Sequence, residues 1–200
     1  MKRMRSSPLL KLKWTNDKGM FWASVVGLLI LAATLYYTRE LLLSTSESSQ
    51  RQLRAYLSIS EGNLFDVAPG KAPRSVLRLS NSGQTPAYNI TARGIVSFKK
   101  FEEMEDPVDV TKQKSFGTGL IGPGQYFGLT FHPDGALTQP EYDALLKGAF
   151  VIDVRAHVTY RDAFGKWHFV SYHGFYRHLP GEPVVEPLHF DQAREDNDAD

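Results

Sequence analysis

The sequence predicts a mainly β protein: an Ig-like antiparallel β-sandwich with one short helix, preceded by an N-terminal transmembrane helix. Three observations predict it. An uncharged apolar run covers residues 20–37. Beyond residue 55, β-branched and aromatic residues recur with the period of two that is typical of half-buried strands. Turn-forming Gly, Pro, Asn and Asp separate these runs, and short strands punctuated in this way favour a sandwich.

The apolar run, MFWASVVGLLILAATLYY, is a membrane anchor by length. A helix of this length reaches roughly 27 Å, close to the ~30 Å hydrocarbon core of a bilayer. A cleaved signal peptide is the alternative, but the run is longer than a usual signal core and no small-x-small site follows it. The residues predicted to meet lipid are Met20, Trp22, Leu28, Leu29, Ile30, Leu31, Tyr36 and Tyr37.

The basic residues on either side of this run predict its orientation. Before residue 20 the chain carries Lys2, Arg3, Arg5, Lys11, Lys13 and Lys18, whereas Arg39, Arg51 and Arg54 follow residue 37. Because positive charge is retained on the cytoplasmic side, residues 1–19 are predicted to be a basic cytoplasmic N-terminus. The rest of the chain is then placed on the outer side of the bilayer, in a bacterial inner membrane.

Residues 38–54 are predicted to be a Ser-rich juxtamembrane stalk, residues 55–179 the sandwich, and residues 180–200 a disordered acidic tail. The predicted strands cover 55–60, 75–79, 88–98, 126–131, 150–160 and 167–176. Thr138 with Glu141 three residues later forms a capping box, which predicts a helix that Gly148 ends and that bridges the two sheets. Residues 101–113 are rich in charged residues and show no clear hydrophobic period, which indicates an irregular segment at the surface.

A candidate partner-contact face follows from the pairing of the last two long strands. A four-residue loop at 162–165 sets Tyr160 opposite Trp167 and gives one apolar face. The opposite, solvated face then carries Asp153, Arg155, His157, His168 and Tyr172. Arg and Tyr are enriched in interface hot spots, which makes this face the candidate for contact with a partner. The alternative is an ordinary cross-strand cation–π pair between Arg155 and Tyr172.

The sequence contains no recognisable catalytic or ligand-binding motif. It has no cysteine, so it has neither a disulfide framework nor thiolate chemistry. His157 and His168 supply at most half of a zinc site, and neither HExxH nor Gly-x-Ser-x-Gly occurs. The formal charge of +1 argues against nucleic-acid binding. We therefore predict no enzyme activity, no cofactor, no metal and no nucleic-acid partner.

Four segments, RQLRAY at 51–56, NSGQTPAY at 81–88, GPG at 122–124 and YRDAFG at 160–165, together resemble a group of uncharacterised bacterial single-pass inner-membrane proteins. In that group a hydrophobic helix precedes a C-terminal β-sandwich-like domain. The resemblance implies the architecture and a bacterial origin, and it implies no activity.

The leading hypothesis is a non-enzymatic, membrane-tethered β-sandwich that contacts a protein or an envelope component. One alternative is a hydrolase-like envelope enzyme that uses His157, His168 and Asp153. Another is an accessory subunit of a larger membrane complex, which predicts a partner that survives purification in mild detergent.

Overall fold

A computed structural model describes residues 17–104, 108–193 and 199. The chain divides into two compact units, Met1–Ser49 and Gln50–Asp200. Most of the predicted basic N-terminus, and residues 194–198 and 200 of the predicted acidic tail, lie outside the described residues.

The first element is one long helix, α1 (Asp17–Leu53). Its Gly19–Leu53 part is long and apolar enough to cross a membrane, and none of its most apolar 18-residue window is buried. Inside this part, the hydroxyls of Ser24, Thr34 and Thr38 each donate to the backbone carbonyl four residues earlier. Such bonds satisfy polar side chains within an apolar helix. Residues 38–53, predicted as a stalk, are helical.

Nine strands follow within the described residues and form two antiparallel sheets. They are β1 (Leu57–Phe65), β2 (Arg74–Asn81), β3 (Ala87–Lys100), β4 (Phe116–Ile121), β5 (Tyr126–Phe131), β6 (Phe150–Arg161), β7 (Trp167–Arg177), β8 (Leu188–His189) and β9 (Asp191–Gln192). In the described part of the chain, one sheet has the order β5-β2-β1-β8 and the other has the order β4-β3-β6-β7-β9.

The two sheets share one hydrophobic core. It is built from residues of both, among them Leu57, Leu77, Leu129, Val154 and Val158. On β6 the inward positions are the even-numbered ones, as the sequence predicts, and from Ile152 to Tyr160 each of them is almost fully buried. The prediction of a mainly β, sandwich-like domain is confirmed.

Helix α2 (Gln139–Leu146) connects β5 of the four-stranded sheet with β6 of the five-stranded sheet. The Thr138 hydroxyl accepts from the Glu141 N–H, and the Glu141 carboxylate accepts from the Thr138 N–H, so the predicted capping box is present. Gly148 follows at φ 70°, a torsion that glycine adopts without strain. The predicted helix and its end are both confirmed.

Two predictions about the chain course are wrong. The strands predicted from the sequence leave out residues 116–121, which form β4, an edge strand in which Gly117 and Gly119 hide the usual strand pattern. The segment that follows residue 180, interpreted as a disordered tail, pairs through β8 with β1 and through β9 with β7. Burial of Leu188 and a hydrogen bond from the Val67 N–H to the Glu186 carboxylate attach it to the domain.

Candidate interaction surface

The five residues of the predicted partner-contact face do not share one face. In the structure β6 and β7 pair Arg161 with Trp167 and Tyr160 with His168. Asp153, Arg155 and His157 therefore lie on the outer face of the five-stranded sheet, whereas His168 and Tyr172 lie on its inner face. The predicted cation–π pair of Arg155 with Tyr172 is excluded by this register.

The error comes from one residue in the hairpin loop. The Asp162 carboxylate accepts from the N–H groups of Phe164 and Lys166, both at 2.9 Å. Because Lys166 is held by Asp162, it belongs to the loop, which has five residues instead of four. A slip of one residue moves every side chain of β7 to the opposite face.

On the outer face, Asp153 is the centre of a buried ionic cluster. It is 0% exposed, and its carboxylate accepts from His173 Nε2 at 2.6 Å and from Arg155 Nε at 3.3 Å. Lys99 Nζ lies 3.5 Å from the same carboxylate, and the Ser97 hydroxyl donates to it. The Asp153 carboxylate thus contacts polar and charged side chains from three strands, β3, β6 and β7.

Residues 101–104 and 108–113 cross the outer face, and Arg155 donates to the Met104 carbonyl at 2.7 Å. Arg155 is consequently buried together with Asp153. The prediction that this part of the face is solvated is wrong. Burial works against the ionised form of Asp153, but the hydrogen bond from His173 and the charges of Lys99, His173 and Arg155 outweigh it. The pKa of Asp153 is therefore below its ordinary value.

His168 belongs to a separate network on the inner face. Its Nε2 donates to the Asp162 carboxylate at 3.0 Å, and its ring packs against the ring of Tyr160. The Tyr160 hydroxyl donates in turn to the Ala55 carbonyl at 3.2 Å. This chain of contacts fastens the β6–β7 hairpin to the residues just before β1, so His168 serves the fold.

Asn81 joins the other segments at the same end of the domain. Its side-chain oxygen accepts from the N–H groups of Tyr56 and Gly83 at 3.2 and 2.9 Å. Its amide donates to the carbonyls of Thr85 and Ile121 at 2.8 and 3.0 Å. A Cβ on Gly83 would lie 2.5 Å from the Tyr56 nitrogen, which explains the glycine. With the Tyr160 contact to Ala55, the four segments quoted from the sequence meet here.

The accessible part of the outer face lies at this end of the sheet. Leu120 of β4 pairs with Tyr88 of β3, Tyr88 pairs with Arg161 of β6, and Arg161 pairs with Trp167 of β7. Directly paired residues of antiparallel strands project on the same side. Leu120 is 53% exposed, Tyr88 39% and Trp167 59%. We call these four residues the aromatic row.

Arg161 is held in place within the aromatic row. Its Nε donates to the Gly165 carbonyl at 2.8 Å, and among the described residues it has no carboxylate partner. A fixed guanidinium between two exposed aromatic side chains matches the residue types that dominate protein interfaces. Beside Trp167, a pocket of about 310 Å³ reaches along β6 and β7 to His157 and Phe169.

Residues 19–173 match the family described as Domain of unknown function (DUF8453). The chain belongs to this family. No curated protein matches it. The DUF8453 match extends from the apolar part of α1 to His173, so it includes the whole aromatic row, Asp153 and Asn81.

Within the DUF8453 domain, sequence reasoning missed Leu120, Tyr88 and Trp167 as surface residues. A correct loop count would have placed Trp167 outward, because an aspartate followed by glycine three residues later can draw one more residue into a hairpin loop. No such signal exists for Leu120, because the glycines of β4 interrupt the alternating pattern by which the strand would be predicted. His157, in contrast, lies on the outer face as predicted, where it shares a 3.0 Å hydrogen bond with Ser171.

Proposed function

We propose that this DUF8453 protein is a non-enzymatic, single-pass protein of a bacterial inner membrane that presents its β domain on the outer side and binds a protein partner there. The observation that carries the binding role is the aromatic row, in which three exposed apolar side chains and Arg161 lie across four neighbouring strands. Apolar side chains that are exposed next to one another on a folded domain are typical of protein interaction sites.

The chemistry of the row favours a particular kind of partner. Arg161 is exposed, it pairs with Tyr88 on one side and Trp167 on the other, and it has no carboxylate partner among the described residues. A partner that places an Asp or Glu among apolar side chains would complement both features.

The hydrolase alternative is less well supported by the geometry. The three residues on which it rests have different neighbours: His157 contacts Ser171, His168 contacts Asp162, and Asp153 contacts His173. A nucleophile, its base and an orienting acid must lie within hydrogen-bond reach of one another. His157 and Ser171 satisfy the first requirement, but within the described chain no carboxylate bonds His157.

Replacement of Trp167 by a photo-crosslinking amino acid in the full-length protein is expected to trap one partner in cells. The same replacement at Tyr88 should give an adduct of equal mass, because both positions lie on the aromatic row. Val185 is the control position, because it is 65% exposed, similar to Trp167, and lies outside the aromatic row. Arg161→Glu should abolish the adduct at Trp167 by reversing the charge that the partner meets. Equal yields at Trp167 and Val185 would contradict this binding role.

The C-terminus is expected to lie on the outer side of the membrane, and two reporter fusions test this location. Alkaline phosphatase, which requires an exported location, should be active, and a cytoplasm-dependent fluorescent reporter should be dark. The expectation follows from the excess of Lys and Arg before residue 20. Replacing Lys11, Lys13 and Lys18 by Gln should weaken this bias. A bright fluorescent fusion with inactive phosphatase would overturn the orientation.

A further inference from the structure

Strand β5 lies at the edge of the four-stranded sheet and has one open side. It pairs with β2 along its whole length, and no other strand of the described chain pairs with it. Edge strands are usually protected against pairing with other chains by a charged residue, a proline or a bulge. The sequence of β5, YFGLTF, contains neither charge nor proline, and its pairing with β2 shows no register shift. The open side of β5 is therefore able to accept a further strand.

The opposite edge of each sheet shows the protection that β5 lacks. There the outermost strands are β8 in the four-stranded sheet and β9 in the five-stranded sheet. Each has only two residues, Pro187 precedes β8, and β9 begins with the charged Asp191. Such short strands offer few backbone groups with which another chain can pair. Within the described residues, the segment after residue 180 thus covers β1 and β7, whereas β5 stays uncovered.

The backbone groups on the open side of β5 follow from its pairing with β2. The Asn81 N–H donates to the Gln125 carbonyl at 3.0 Å, so the residue before β5 faces β2. Hydrogen-bonded and non-hydrogen-bonded positions alternate along an antiparallel pair, so every second residue after Gln125 also bonds to β2. The N–H and carbonyl groups of Tyr126, Gly128 and Thr130 therefore point to the open side.

Apolar surface accompanies these backbone groups. Phe127 lies on the core-facing side of β5 together with Leu129, but Leu129 is fully buried and Phe127 is 43% exposed. Tyr126, on the outward side, is 65% exposed. A strand added beside β5 would cover part of both rings, so burial of apolar surface would reinforce the backbone hydrogen bonds.

The β5 strand of a second copy complements this edge. In an antiparallel pairing centred on Gly128, Tyr126 lies opposite the partner's Thr130, and Phe127 lies opposite the partner's Leu129. This register places all three open-side residues in hydrogen-bonded pairs, and aromatic side chains opposite β-branched ones stabilise sheets. Two glycines meet at the two-fold axis, where neither side chains nor like charges oppose the contact.

We propose that two copies of this chain pair through β5, which joins their four-stranded sheets into one continuous antiparallel sheet. Helix α1 is long and apolar enough to cross a membrane, and copies held in one bilayer meet at a raised effective concentration. The contact uses no residue of the aromatic row. It is therefore independent of the proposed binding of a protein partner, and either proposal can fail without the other.

Single cysteines in the full-length protein test this pairing by disulfide formation in cell membranes, because the natural chain has no cysteine. Gly128→Cys should give a disulfide-linked dimer under mild oxidation, since directly paired Cα atoms lie about 5.5 Å apart. A Cβ at this position would lie 3.7 Å from Val76 Cγ1, an ordinary contact, so the cysteine fits.

Tyr126→Cys and Thr130→Cys are the matched controls, because both are exposed positions of the same strand. Each should stay monomeric, since four residues of offset separate it from its own copy by roughly 14 Å. Co-expression of the two variants with different tags should give a mixed dimer, because these positions lie opposite each other. Absence of a dimer from Gly128→Cys, or equal dimer yields from all three single variants, would overturn the proposal. A Gly128→Cys product that contains a different protein would overturn it as well.

Gly128→Lys tests the contact by charge. It sets two like charges opposite each other at the two-fold axis, so it should prevent the mixed disulfide between Tyr126→Cys and Thr130→Cys chains. Gly119→Lys makes the same change in the edge strand β4, where an added Cβ meets nothing within 4 Å, and it should leave the mixed disulfide unchanged. Thermal unfolding of both purified variants verifies that they fold. A mixed disulfide that persists in Gly128→Lys, or that Gly119→Lys abolishes equally, would contradict pairing through β5.

Discussion

Asp153→Asn is expected to lower the free energy of unfolding by about 3–5 kcal/mol, since removing one member of a buried ion pair leaves the other charge uncompensated. Asp153 is fully buried, and Lys99 and Arg155 both depend on its charge. Asparagine keeps the shape of the side chain and can still accept one hydrogen bond. The loss therefore measures charge compensation rather than a cavity. Urea unfolding followed by tryptophan fluorescence would measure it.

Asp134→Asn is the matched control, because Asp134 is exposed and makes no ion pair within the described residues. It should change the free energy of unfolding by less than about 0.5 kcal/mol. If both variants lost the same amount, the ionic cluster would not be what stabilises this face.

The same carboxylate makes the stability of the domain depend on pH in the acid range. A pKa that is lower in the folded than in the unfolded state stabilises the fold above the unfolded value. The contribution of Asp153 is therefore fully present above the ordinary carboxyl pKa of 3.8 and is lost as the pH falls through its lowered folded value. Asp153→Asn should lack this part of the acid transition, and an unchanged transition would contradict the assignment.

Asn81→Ala is expected to cost about 4 kcal/mol of unfolding free energy, with roughly 1 kcal/mol for each of four hydrogen bonds. Asn81 is 1% exposed, and its side chain joins the residues before β1, its own loop and the end of β4. Its loss leaves two N–H and two carbonyl groups without that partner. Thermal unfolding of the full-length protein would detect it.

Gln84→Ala removes an amide of the same kind from the same loop, but Gln84 is exposed and its side chain forms no hydrogen bond with any described residue. It should be nearly neutral. Asn81→Asp separates the two halves of the network, because a carboxylate accepts from Tyr56 and Gly83 but faces the carbonyls of Thr85 and Ile121 without a proton to donate. It should be as destabilising as Asn81→Ala, and a stable Asn81→Asp would show that the two donated bonds matter little.

Local signals were strong enough to predict several elements closely. The capping box at Thr138 and Glu141 fixed the start of α2, and β5 has the predicted limits of 126 and 131. Both depend on residues within a few positions of one another. The even-numbered core face of β6 was predictable for the same reason, since alternation along one strand needs no partner.

The candidate surface could not be predicted in this way. The face of Trp167 depends on whether Lys166 belongs to the strand or to the loop, and the Asp162 hydrogen bonds decide that question. Asp153 and Arg155 look like solvated charges in the sequence, but residues 101–104 and 108–113 cover them. Neither the cover nor the loop length is visible in the alternation of the strands.

The sequence by itself determined the apolar helix, the mainly β domain and the position of its one short capped helix, because hydrophobic period and capping chemistry act over a single turn or strand. Tertiary structure decided which residues share a face, which charges are buried and where the segment after residue 180 lies. Those outcomes depend on contacts between segments more than a hundred residues apart, such as the hydrogen bond of Tyr160 to Ala55. One hydrogen bond to Lys166 was enough to exchange the two faces of β7 and, with them, the accessible surface of this DUF8453 domain.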